Sequence, residues 1–255
     1  MMAGLLGNLY NSPWSIWILA ILIQYLCTRE FFKLMQGIFP EAAFPTSILW
    51  LTQLSSVLLI LSVSLWNMDF PLIMMAPVIL LLTGILQKRT ALIAATSGIV
   101  SLMYIALPMA FLVKLWSISF ALPLALILMI WMNDTMAYIV GSFIGKTPFS
   151  PISPKKTWEG TLGGAILTVV GAAIWAHYAQ MPQFTRADWM VLAAIAAIAG
   201  TAGDLLESKM KRIAGVKDSG NMMPGHGGAL DRFDSLLVSL FFAFVYVMMF
   251  VVVDM

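Results

Sequence analysis

The residues best equipped for chemistry fall in two stretches. In the second, Asp204, Glu207, Ser208 and Lys211 stand at i, i+3, i+4 and i+7, so a helix stacks them on one face. Arg212, Lys217 and Asp218 follow, then Pro224-Gly225-His226-Gly227-Gly228, then Asp231, Arg232 and Asp234. Gly215, Gly220, Gly225, Gly227 and Gly228 allow positive φ and close backbone approach, so this run can turn several N–H groups toward a phosphate. Carboxylates interleaved with cations point to multivalent anions held together with a hard divalent cation. Mg²⁺ takes one or two carboxylates, waters and phosphate oxygens. Lys offers phosphate a point charge, and Arg a bidentate fork. A basic loop resting on anionic headgroups would need the lysines, but neither Asp204 nor the Gly-His-Gly-Gly run.

The first stretch runs Asn133-Asp134-Thr135, then Gly141 to Gly145, then Ser153-Pro154-Lys155-Lys156-Thr157-Trp158-Glu159-Gly160. Asp134 sits inside an apolar helix near its end. A carboxylate there is costly, and it serves either a reaction or a hydrogen bond between helices. Asp134, Ala137, Tyr138 and Gly141 share a helical face, which reads as small residues around a carboxylate in a bundle interior. Gly141-x3-Gly145 and Gly160-x3-Gly164 fit close helix packing better than a ligand role.

The elements that position these groups follow from composition. Of 255 residues, 61% are hydrophobic and 10% charged, and the mean hydropathy is +0.93. A soluble domain carries about 25% charged residues, and a disordered chain is poor in apolar ones, so both are excluded. Apolar segments near the roughly 20 residues that span a bilayer occur at about 13–28, 47–66, 70–87, 91–113, 119–140, 160–180, 189–206 and 235–253. The expectation is an all-α, polytopic integral membrane helical bundle of about eight transmembrane helices, one transmembrane domain over 1–255. The first segment is followed by Arg29, Glu30 and Lys33 instead of a small-residue cleavage site, and reads as a retained anchor. Pro77, Pro108 and Pro123 are tolerable inside membrane helices.

Of the 14 Lys and Arg residues, Lys114 and Arg186 alone fall between spans on one side; all others fall on the opposite side. The basic side is cytoplasmic, both termini face out, and the polar loops at about 141–159 and 207–234 share the cytoplasm. Cys27, the single cysteine, excludes an intramolecular disulfide and reads as a small buried thiol. His177 falls near the outer end of its span, an interfacial side chain. Trp suits membrane interfaces and Met irregular helix contacts, so the 9 Trp and 19 Met need no cofactor.

The run Ser208-x-Met-Lys-Arg-x4-Lys-Asp-x-Gly-x3-Pro-x-His-Gly-Gly-x2-Asp-Arg-Phe-Asp234 resembles the C-terminal motif of the phosphatidate cytidylyltransferases (CDP-diacylglycerol synthases). Asn133-Asp134 and Ser153-Pro154-Lys155-Lys156-Thr157-x-Glu159-Gly160 are similar to the family's preceding blocks, and with hydropathy the likeness runs from about residue 20 to the end. Met223 and Ala229 depart mildly from the usual pattern. Family members commonly open with a basic residue and one further apolar span, and this chain begins just before what looks like the second, so whether a first helix is missing stays open.

The resemblance implies the reaction CTP + phosphatidate → CDP-diacylglycerol + pyrophosphate, in phospholipid biosynthesis at a bacterial-type inner membrane. Asp204 and Asp231 are then the metal ligands of a two-cation centre with Mg²⁺ as one member. They stand with Lys211, Arg212 and Lys217 as the catalytic set. Ser153, Lys155, Lys156, Thr157, Glu159, Ser208, His226 and Arg232 would bind substrate, supported by Asn133, Asp134, Glu207, Asp218 and Asp234. The implied partners are CTP, phosphatidate and membrane lipids, with no nucleic acid; a homodimer stays open.

Two rival classes fit less well. A secondary transporter for an anionic solute calls for inverted repeats and midplane charges, and the sequence has neither. A CDP-alcohol phosphotransferase needs two Asp separated by three residues, whereas Asp231 and Asp234 are separated by two. Another lipid phosphate, such as an isoprenoid glycerol ether, fits the generic apolar residues as well as phosphatidate does.

Overall fold

This computed structural model describes residues 13–65, 70–87, 91–179, 181, 183–222 and 227–252. Among them the helices are α1 (Pro13–Ile38), α2 (Thr46–Leu65), α3 (Phe70–Leu86), α4 (Leu92–Ile118), α5 (Ala121–Ile144), α6 (Trp158–Ala179), α7 (Arg186–Ile213) and α8 (Leu230–Val251). An antiparallel hairpin of β1 (Pro148–Ser150) and β2 (Ser153–Thr157) connects α5 to α6. Seven helices are long and apolar enough to cross a membrane, and α3 is a shorter eighth. Their outer faces are apolar. On α6, Ile166, Val170 and Ile174 repeat every fourth residue and are each at least half exposed. On α3, Val78, Leu82 and Ile85, spaced four and three apart, are also each more than half exposed. Stripes of this kind are untenable in water and suit lipid. The chain is an integral membrane protein, a polytopic helical bundle as its composition predicts.

The chain divides into two compact units. The first holds α1 to α4 together with residues 210–232. In it α4 packs on α1 and α2, and α3 lies against α2 and α4. Buried amides and hydroxyls cross-link these helices: Gln24 donates to Gln53 at 2.8 Å and to Thr28 at 3.1 Å, and Thr28 meets Ser101 at 3.1 Å. Such bonds are favoured where lipid offers polar groups no other partner. One turn of α4, Leu102–Ala106, is π-helical. Pro108 explains it, because its ring would press on the carbonyl four residues back and the wider turn makes room.

The second unit comprises α5, the hairpin, α6, α7 as far as Lys209, and α8 from Phe233. Glycines set its spacing. A Cβ on Gly164 would stand 2.8 Å from Ala137 Cβ, Ala137 N and Asn133 O, and one on Gly160 would reach 2.6 Å from Ala137 O. These backbones approach as closely as the small-residue spacing predicts. The contact uses Asn133, Ala137 and Gly141, while Tyr138 is 78% exposed. The expected interior face of 134, 137, 138 and 141 is therefore split. Gly203 packs against the Asp234 carbonyl, 2.5 Å from where its Cβ would be. α7 opens with a reciprocal capping pair: Thr185 N–H donates to Asp188 at 2.7 Å, and Asp188 N–H to Thr185 Oγ1 at 3.3 Å.

Helices overrun the expected spans. α7 has 28 residues, so it is about 42 Å long, against a hydrocarbon core of about 30 Å. The overrun past residue 206 carries Glu207 through Arg212. α1 continues ten residues past the expected Thr28 end, carrying Arg29, Glu30 and Lys33. The connection expected over 141–159 is largely ordered into helix and hairpin, and α8 starts at Leu230, several residues before the expected 235.

Candidate functional site

In the first unit, the end of α7 shapes one polar centre. Gly215 takes φ +72°, with Val216 N–H on the Lys211 carbonyl (3.0 Å) and Gly215 N–H on the Arg212 carbonyl (3.2 Å). This Schellman stop, which an L side chain at 215 would strain, turns the chain back on itself. Ser219 is thereby brought to Asp231 in the first turn of α8. The Asp231 carboxylate accepts from Lys211 Nζ at 2.5 Å, Ser219 N at 2.9 Å, Ser219 Oγ at 2.9 Å and Gly228 N at 2.7 Å. Gly227, at φ +82°, closes over it, and a Cβ there would lie 2.7 Å from Oδ2. A carboxylate at a helix start and lysine and arginine at a helix end also suit the two dipoles.

Beneath this centre lies Glu30 of α1, which the sequence reading passed over. It is 7% exposed, and its Oε2 accepts from Ser219 Oγ at 2.9 Å and Leu230 N at 2.8 Å. A signal existed: Phe31, Phe32, Leu34 and Met35 continue an apolar pattern past Arg29, so a carboxylate at 30 was due to be enclosed.

The second unit holds another polar centre. Lys156, on β2, pairs with Asp204 of α7 at 2.5 Å, the two side chains being 31% and 27% exposed. Asp134 of α5 lies in the fields of the Lys156 ammonium and the Asp204 carboxylate. Two carboxylates thus share the field of one ammonium. Glu207, one turn beyond Asp204, is fully buried, and so is most of Asp234, whose Oδ1 takes the Ser235 N–H at 2.6 Å.

Other residues in the predicted set hold the scaffold. Glu159 accepts from Lys146 N (3.1 Å), Thr147 N (3.1 Å) and Thr147 Oγ1 (2.7 Å), which fastens the hairpin to α6. Thr157 caps α6 through the Gly160 N–H at 3.2 Å and packs against Gly141 and Gly145. Ser153 opens β2 and Ser208 lies on α7, both half-buried. Lys155, Arg212, Lys217, Asp218 and Arg232 are exposed. His226 lies outside the described residues. Asp204 belongs to the second unit and Asp231 to the first.

No group of three or more His, Cys, Asp or Glu side chains able to hold a metal occurs among the described residues. The donors at the two centres are carboxylate oxygens, each already holding a lysine ammonium. Hard oxygens in ones and twos suit a cation such as Mg²⁺ that keeps waters and shares phosphate oxygens, not a closed structural metal site.

Fold and polar centres together define a polytopic membrane protein with carboxylate–ammonium pairs at the ends of its helices. The sequence model of the Cytidylyltransferase family matches residues 1–250, and the chain belongs to that family. A phosphatidate cytidylyltransferase of Staphylococcus saprophyticus is 37% identical over 172 residues, 66% of this chain and 65% of that protein. One of Synechocystis is 48% identical over 106 residues, 42% of this chain and 36% of the relative. The chain thus matches just under two thirds of the length of the first relative.

Proposed function

We propose that this chain transfers a cytidylyl group from CTP to phosphatidate, giving CDP-diacylglycerol and pyrophosphate for phospholipid synthesis. The observation that carries the reading is the pair of ammonium–carboxylate contacts, Lys156–Asp204 and Lys211–Asp231, within the stretches that resemble the family's motifs. Relatives bearing the name phosphatidate cytidylyltransferase support it. A phosphate oxygen of phosphatidate attacks the α-phosphorus of CTP, the bond to the bridging oxygen breaks, and pyrophosphate leaves with that electron pair. The attacking oxygen is already anionic near neutral pH, so no strong base is required. Positioning and charge neutralisation supply most of the acceleration.

Lys155, Lys156, Lys211, Arg212, Lys217 and Arg232 neutralise the phosphates. Asp204 and Asp231 are the carboxylates that take Mg²⁺, and a second cation belongs to the same reading. When bound, the metal neutralises phosphate charge as a Lewis acid. On this reading the chemistry lies on the cytoplasmic side of a bacterial-type inner membrane with both termini outside, and the basic loops support that side.

The test is purified protein with Mg²⁺, phosphatidate and each nucleoside triphosphate in turn, assayed for pyrophosphate. Release with CTP, and far less with ATP or GTP, is the expected result. Equal release with ATP refutes the nucleotide assignment. A phosphorylated lipid with a nucleoside diphosphate product refutes the reaction class.

A further inference from the structure

Glu30 is a buried charge that the proposed reaction does not use. It sits on α1, yet its hydrogen-bond partners Ser219 and Leu230 lie 189 and 200 residues further along the chain. Enclosing a carboxylate is costly unless it is hydrogen-bonded, and here a single oxygen, Oε2, takes both donors. The chain has also cleared space for it. A Cβ on Gly220 would collide with Glu30 Oε1, and one on Gly228 with Glu30 Oε2. Ser219, 5% exposed, stands between two carboxylates, its Oγ 2.9 Å from Glu30 Oε2 and 2.9 Å from Asp231 Oδ2. A hydroxyl has one proton and serves one carboxylate at a time, so backbone N–H groups complete both: Leu230 for Glu30, Ser219 and Gly228 for Asp231.

We propose that Glu30 is a positioning residue: by holding Ser219 and the first turn of α8, it fixes the direction in which the Asp231 carboxylate and its Lys211 partner face. The proposal rests on the activity assigned above, in which Asp231 meets the cation. Glu30 does not touch substrate in this scheme; it acts through Ser219 and Leu230.

The geometry separates two variants. Glu30→Gln can turn its amide oxygen to the Oε2 position and accept both donors, whereas Glu30→Ala accepts neither. Glu30→Ala is expected to lower kcat about 100-fold, the scale of a small misplacement of catalytic groups. It should also raise the Mg²⁺ concentration for half-maximal rate about tenfold while the phosphatidate KM stays within about twofold. Glu30→Gln should retain at least about a third of wild-type kcat. Independently of activity, amide hydrogen exchange of the full chain in lipid nanodiscs should speed up at Leu230 in Glu30→Ala and stay near wild type in Glu30→Gln.

Should Glu30→Ala fail to fold, Ser219→Ala removes the shared hydroxyl alone. It should lower kcat about tenfold and leave Leu230 protected. Equal damage from Gln and Ala, unchanged Leu230 exchange in Glu30→Ala, or a fully active Ser219→Ala would overturn the proposal. A wild-type protein inactive with CTP and phosphatidate would sink the assigned reaction instead, and the exchange data would still judge Glu30.

Discussion

Replacing Asp231 by Asn keeps the shape and removes one acceptor together with the charge. Among the described residues, donors reach this carboxylate from Lys211 on Oδ1 and from Ser219 N, Gly228 N and the Ser219 hydroxyl it shares with Glu30 on Oδ2. An amide has one oxygen. One orientation therefore sets its NH₂ against the Lys211 ammonium, and the other sets it against two backbone N–H groups. The Lys211 and Asp231 side chains are 12% and 10% exposed, so water cannot readily replace the lost acceptor. Losing a bond to a charged group costs about 1.5–3 kcal/mol, and stranding a buried donor about 1–3 kcal/mol more. The sum, roughly 2.5–6 kcal/mol, is a large part of a typical stability of about 5–15 kcal/mol. Asp204 differs. Its contact with Lys156 is about a third exposed, and an Asn oxygen can still receive that ammonium. The structural cost there should be under about 1 kcal/mol. Both Asn variants are expected to lose at least about 100-fold in kcat if each carboxylate meets the cation. Asp231→Asn alone should melt roughly 10 °C below wild type. The assays are Mg²⁺-dependent pyrophosphate release and thermal unfolding in detergent. Asp231→Asn melting like wild type would refute the donor accounting. Near-normal turnover in either variant would remove that residue from the metal assignment.

Gly164→Ala should destabilise the second unit by about 1–3 kcal/mol, because the new methyl meets backbone atoms that cannot move aside. Gly171→Ala, on the same helix, meets the flexible end of Met132 and should melt at or slightly above the wild-type temperature. Glu159→Ala frees the Lys146 and Thr147 N–H groups and should lower turnover about tenfold by loosening the hairpin that carries Lys156; unchanged turnover would make the hairpin irrelevant to catalysis. In a Cys27→Ala background, Ser117→Cys should react with an impermeant thiol reagent in intact cells and Ser150→Cys should not, and the reverse pattern would invert the topology.

The helices were legible because lipid imposes one demand, an apolar stretch of sufficient length, and that demand is local in sequence. Their ends were less legible. α7 continues to Ile213 because Asp204, Glu207, Ser208 and Lys211 remain on one face while Gly215 supplies the stop, and hydropathy registers neither. The α5–α6 seam was read from its glycines, but its face was placed one residue out, since Gly160 and Gly164 select Ala137 and Asn133 and leave Tyr138 outside. The hairpin at 148–157 went unread: its Ser, Pro and Lys residues have no strand pattern, and its order comes from Glu159 accepting the N–H groups ahead of it.

The polar centres divide along the same line. Asp134, Lys156, Asp204, Lys211 and Asp231 were visible because a charge near an apolar segment needs a reason, whatever its partner is. Which partner it takes is set by distant chain, and Glu30 shows the consequence. Its donors come from 189 and 200 residues away, so no local pattern could announce them. The glycines make the sharper case. Gly220 and Gly228 were read as allowing close backbone approach to an anion, and the Glu30 carboxylate lies where a Cβ on either would stand. A glycine at such a site reports that something negative and bulky must come close, and an internal carboxylate satisfies it as well as a phosphate does. In this segment Glu30 takes the Ser219 and Leu230 donors, while Arg212, Lys217 and Arg232 are exposed.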